Sequence, residues 1–150
     1  MKLRTGDELI GCDIVPQNYD ADLLVVTSDG FGKRTKLSEF RGQNRGGIGL
    51  IATKFKTNES RLVALTIVAE NDEIMLVTAN GIVTRIKASD ISQQGRPATG
   101  VRAQNLVNND TVVSVNKIIT PEEEDSIVEK VAPKTEDATP EVTAEQTKLI

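Results

Sequence analysis

The sequence predicts an all-β protein built from two four-stranded repeat units. This expectation rests on an internal repeat, a succession of short β-branched runs, and a turn dipeptide at the same place in each copy. Residues 24–50, LVVTSDGFGKRTKLSEFRGQNRGGIGL, match residues 75–101, MLVTANGIVTRIKASDISQQGRPATGV, at an offset of 51. Val26/Val77, Thr27/Thr78, Gly30/Gly81, Arg34/Arg85, Lys36/Lys87, Ser38/Ser89, Gln43/Gln94, Arg45/Arg96 and Gly49/Gly100 are identical at that spacing. A repeat of this length marks propeller-like or solenoid architecture, in which each unit buries its apolar face against the next.

Taken in order, the runs LIGCDIV, DLLVVTS, IGLIATKFK, RLVALTIVA, DEIMLVTA, GIVTRIK, GVRAQNL and TVVSVNKII are short and rich in Val, Ile, Leu and Thr, so each reads as a strand. Glu8–Val15 lines up with Arg61–Val68 as a partial third copy, and Thr111–Val115 fills the same slot after the second unit. The expected content is therefore two full units and the trailing strand of another. Asp29-Gly30 and Asn80-Gly81 lie between such runs and predict tight hairpins of type I′, which needs positive φ at both central residues. The repeat domain is expected over 1–118, with blade units at about 1–67 and 68–118. Residues 119–150 carry nine acids, three lysines and three of the five prolines, and are expected to be a disordered acidic tail.

Composition excludes several functions. At 38% hydrophobic and 27% charged, the chain has no apolar run long enough for a transmembrane helix, and a polar start argues against a cleaved signal, so a cytoplasmic location is expected. With no histidine and a single cysteine, neither a zinc site nor a histidine-based triad can be assembled, and no internal disulfide can form. Cys12 is expected to be a buried, inert thiol in an apolar strand. Three Phe, one Tyr and no Trp leave few platforms for stacking single-stranded bases. Tyr19 is assigned no chemistry, and the acidic turns around Glu59 and Glu70–Glu73 lack the spacing of a calcium loop.

Charge carries the functional expectation. Between Lys33 and Lys56 seven basic residues, Lys33, Arg34, Lys36, Arg41, Arg45, Lys54 and Lys56, stand against Glu39 alone. In the second unit Arg85, Lys87, Arg96 and Arg102 stand against Asp90. Positive charge recurring in step with the repeat suits a track that neutralises duplex phosphates, with salt-dependent, sequence-independent affinity. The glycine cluster with Gly46, Gly47 and Gly49 is no Walker loop, since no Gly-Lys-Ser/Thr follows, but its backbone N–H groups could approach a phosphate. A wide turn between strands accounts for it equally well.

These residues carry a resemblance. Thr27–Thr35, with its TxxGxxxR hairpin, the Arg45-Gly46-Gly47-Ile48-Gly49 loop and the closing Val-Val-x-Val strand resemble the C-terminal β-pinwheel of DNA gyrase A over residues 3–118. The resemblance implies a partial pinwheel, its last two blades plus tail, whose basic rim wraps duplex DNA so that the ATP-dependent holoenzyme introduces negative supercoils. It implies as partners double-stranded DNA, the rest of gyrase A and the separate ATPase polypeptide of the gyrase heterotetramer, without a membrane. It also implies that ATP and magnesium are used elsewhere, no cofactor being expected here, and that this chain lacks the DNA-cleaving tyrosine. The heptapeptide Gln43–Gly49 lacks two of the basic positions usual in the family's first blade. The equivalent domain of topoisomerase IV is the nearest relative, and a protein-interaction fragment or a truncated product without activity is the alternative. Two further expectations are that the acidic tail competes with DNA for the rim, and that open sheet edges leave two blades marginally stable or prone to associate.

Overall fold

Seven strands and two single turns of 3₁₀ helix form in the order β1 (Asp22–Thr27), β2 (Phe31–Lys36), η1 (Leu37–Glu39), β3 (Leu62–Val68), β4 (Glu73–Thr78), β5 (Val83–Lys87), η2 (Ala88–Asp90), β6 (Val101–Arg102) and β7 (Val112–Ile118). The computed structural model describes residues 3–15, 19–107 and 109–119. No α-helix occurs among them, and the all-β expectation holds. The expected acidic tail, apart from Ile119, lies outside the described residues.

Both repeats fold into the same antiparallel element. β1 pairs with β2 on one side and β3 on the other; β4 pairs in the same way with β5 and β7. The registers are equivalent down to the irregularity, which falls between Val26 and Thr27 in one sheet and between Val77 and Thr78 in the other. Leu24, Val26, Val68, Ile74, Leu76, Ala88, Ile91 and Val112 make one buried cluster drawn from both sheets. Neither hairpin therefore owns a separate core.

The hairpins form where expected, with a different turn. Only the glycines adopt positive φ, +79° at Gly30 and +82° at Gly81, while Asp29 and Asn80 do not. The Gly30 and Gly81 N–H groups bond the Thr27 and Thr78 carbonyls at 3.0 Å. Each turn is thus a three-residue loop ending in a left-handed glycine, not type I′. Asp29 is held instead through its side chain, which accepts from the Thr27 and Ser60 hydroxyls at 2.5 and 2.9 Å.

The second correction concerns strand ownership. The first sheet has the order β3-β1-β2-β6, so β6 leaves its own repeat to pair with the hairpin before it. The second sheet, β5-β4-β7, has three strands instead of the expected four. Residues 8–15 and 48–56 form no strand. The former run beside β3, where Asp13 accepts from the Ile67 N–H at 2.9 Å, and Cys12 is exposed, not buried. A β-prone segment becomes a strand only where a partner edge receives its backbone, and neither segment has one among the described residues.

Candidate nucleic-acid interface

The eleven cations expected to form the basic track divide into two groups. Lys33, on β2, is 0% exposed, and its Nζ donates to the carbonyl oxygens of Gly95 at 2.7 Å and Arg96 at 2.6 Å. Burial lowers its pKa from the usual lysine value; Glu39 works against that shift and Arg96 adds to it. Arg34 is 8% exposed and donates from Nε to the Ile91 carbonyl at 2.8 Å and from a terminal nitrogen to Asp22 Oδ2 at 2.9 Å. The same carboxylate accepts from Gln93 Nε2. Thr35 Oγ1 donates to the Gln94 carbonyl at 2.7 Å.

Three consecutive residues of β2 therefore clamp the loop 91–96 of the following repeat. Backbone bonds reinforce the clamp, with the Arg34 N–H to the Ser92 carbonyl at 3.1 Å and the Gln94 N–H to the Arg34 carbonyl at 2.7 Å. The expectation that Lys33 and Arg34 meet phosphate is corrected: they are withdrawn from solvent and their donors are engaged across the joint between repeats.

The remaining cations are available. Lys36, Arg41, Arg45, Lys54, Lys56, Arg85, Lys87 and Arg102 are exposed and Arg96 is half-buried. Of these only Arg85 is ion-paired among the described residues, to Glu73, which also raises its pKa. This pair repeats Arg34–Asp22 at the same offset, but in the open. Lys56 and Arg102, from different repeats, both lie over the Phe31 ring, 5.6 and 5.2 Å from its centre. Arg96 lies 5.9 Å from the centre of the Phe40 ring. Such cation–π contacts hold a long side chain in place without neutralising it.

Residues 41–49 line a shallow hollow that brings Arg41 and Arg45 together with Gly46, Gly47 and Gly49. Gly46 and Gly49 have φ of +81° and +87°, and the Gly47 N–H turns back toward the Asn44 carbonyl at 3.4 Å. Arg4 lines a neighbouring hollow with Arg96 and residues 48–51. Sequence reasoning passed over Arg4 because it lies outside the repeat. Phe31 was also missed, and its place at the start of β2 beside the hairpin glycine was the available signal. Among the described residues no group of three or more His, Cys, Asp or Glu is placed to hold a metal ion, and no helix is long and apolar enough to cross a membrane.

The family model for the DNA gyrase C-terminal domain, beta-propeller, matches residues 21–69 and 72–118, one match for each repeat. The chain belongs to the DNA gyrase C-terminal domain family. DNA gyrase A of Synechocystis sp. is 36% identical over 159 residues, covering 86% of this chain and 18% of the relative. The chain thus spans under a fifth of that relative's length. The solved structure of a DNA gyrase A C-terminal domain aligns with TM-score 0.61 and 34% identity, covering 67% of this chain and 34% of that one. A topoisomerase IV C-terminal domain aligns with TM-score 0.63 and 29% identity, covering 71% and 32%. In this gyrase-family pair of blades, the chemistry unspoken for by the fold is its exposed positive charge.

Proposed function

We propose that this chain binds and bends duplex DNA as part of DNA gyrase A. The observation that carries the reading is the set of exposed cations, Lys36, Arg41, Arg45, Lys54, Lys56, Lys87 and Arg102, which have no carboxylate partner among the described residues and recur from repeat to repeat in a member of this family. Arg85 and Arg96 join them at lower effective charge. On meeting phosphates, these side chains would release the duplex's condensed counterions, which gives affinity without sequence preference. The Lys56–Phe31–Arg102 cluster would hold the path of the duplex across the joint between repeats. The remainder of gyrase A and the separate ATPase polypeptide would complete a cytoplasmic heterotetramer, and ATP and magnesium would act there and not on this chain.

Smooth bending of 20–30 base pairs costs a few kcal/mol, which the phosphate contacts must offset. With about five contacts, raising salt from about 50 to 200 mM weakens binding a few hundredfold. Fluorescence anisotropy of a labelled duplex over that range tests the reading. An affinity that barely responds to salt overturns it, as does an unchanged affinity when Lys36, Lys54, Lys56 and Arg102 are all replaced by Glu.

A further inference from the structure

The two sheets are equivalent strand for strand except at one edge. β3, β1 and β2 correspond to β7, β4 and β5, but the outer edge of β2 carries β6 whereas the outer edge of β5 carries no strand among the described residues. The counterpart of β6 in the first repeat, at the offset of 51, is Leu50–Ile51. It pairs with no strand among the described residues, and Ile51 is 78% exposed. The protein thus holds one strand-forming arm without an edge and one edge without an arm. Unpaired edges of this kind are templates for another chain.

We infer that a second copy of this chain docks its arm, residues 40–52, on the outer edge of β5. The joint already present inside the chain supplies the template. There Phe31 pairs with Arg102 and Gly32 with Val101, the Ala103 N–H bonds the Gly30 carbonyl at 2.9 Å, and the loop 91–96 lies along Arg34. At the same offset, Ile82 pairs with Ile51 of the second copy and Val83 with Leu50. The Ala52 N–H then meets the Gly81 carbonyl, and Arg41 and Gln43 flank Arg85 as Ser92 and Gln94 flank Arg34.

The arm is already shaped for this. A Cβ on Gly100 would lie 2.5 Å from the Gly32 carbonyl oxygen, so close approach at the filled joint requires glycine, and its φ is +99°. Gly49 keeps both the glycine and the left-handed turn, at +87°. Ala52 repeats Ala103. On the receiving side Ile82 and Val83 are exposed apolar residues at the edge that the arm covers. Two differences make this joint weaker than the internal one. Thr84 stands where Lys33 makes its clamp, and Val83 replaces Gly32, where a Cβ would lie 3.2 Å from that of the facing alanine.

The contact joins two different surfaces, so it propagates head to tail and is not self-complementary. Sedimentation velocity on the full 150-residue chain over about a hundredfold range of concentration is expected to show mass rising in steps of one protomer. Leu50→Asp disables the arm and Val83→Pro disables the edge, proline being tolerated on an edge strand; each alone is expected to sediment as a monomer with unchanged circular dichroism. Mixed in equal amounts they are expected to form a dimer and nothing larger, because the pair retains one working arm and one working edge. Ala52→Pro provides a second arm variant should Leu50→Asp fold poorly. A wild-type chain that stays monomeric throughout, association that survives both variants, or a mixture that yields no dimer overturns the inference.

Discussion

The ammonium of Lys33 donates to the carbonyl oxygen of Gly95 at 2.7 Å, so a buried lysine of one repeat is anchored on the backbone of the next. A lysine that reads in the sequence as part of a nucleic-acid surface serves instead as a fastener between blades. Replacing it separates the two roles.

Lys33→Met keeps most of the buried stem but leaves the Gly95 and Arg96 carbonyls without their donor. The expected loss is about 1–3 kcal/mol in urea denaturation. The slope of log affinity for duplex DNA against log salt is expected to stay as in the wild type. A slope that falls by about one would assign Lys33 to phosphate after all.

Arg34 and Arg85 occupy the same place in the two repeats and pair with equivalent acids, Asp22 and Glu73. Their surroundings differ. The Arg34 and Asp22 side chains are 10% and 11% exposed, whereas the Arg85 side chain is 62% exposed. Arg34→Ala is expected to destabilise the protein by about 3–5 kcal/mol, because a buried carboxylate loses its charged partner. Arg85→Ala is expected to leave the unfolding midpoint within experimental error.

Gly30 and Gly81 share a left-handed backbone but not a neighbourhood. A Cβ on Gly30 would lie 2.5 Å from the Gln104 carbonyl oxygen, while one on Gly81 would meet nothing within 4 Å. Gly81→Ala is expected to lose only the conformational term, about 1–2 kcal/mol. Gly30→Ala is expected to lose clearly more, and comparison of the two thermal midpoints measures the difference.

Asp110 makes an acid-sensitive contribution. Burial would push its pKa up, but bonds from Thr78 and from the N–H groups of Asn80, Thr111 and Ala79 outweigh burial and leave it below the usual aspartate value of 3.8. A carboxyl with a depressed folded pKa adds stability above its unfolded pKa and loses it as pH falls through the folded value. The thermal midpoint of the wild type is therefore expected to exceed that of Asp110→Ala by a constant margin at neutral pH. Below about pH 3.8 the margin is expected to shrink.

Features set by near neighbours were legible in the sequence. The hairpins followed from glycine between apolar runs, and Thr111–Val115 was rightly matched to β3 because the repeat carries its own alignment. The fates of Lys33 and Arg34 were not legible. Lys33's acceptors lie 62 and 63 residues away, and nothing in KRTK distinguishes a cation turned into a joint from one turned to water. The run GVRAQNL was rightly read as β-forming, but its choice of sheet is a long-range decision. Residues 8–15 and 48–56 have the composition of strands and lack an edge to join, which composition alone does not register.

Because β6 is lodged in the sheet of the preceding hairpin, the short link at 69–72 between the matched repeats is not a mechanical seam. A protease that severed it would yield two bands on a denaturing gel yet a single body in native chromatography, since the severed pieces remain dovetailed. Shortening the protein at that visible gap would strip a strand from the half that was kept.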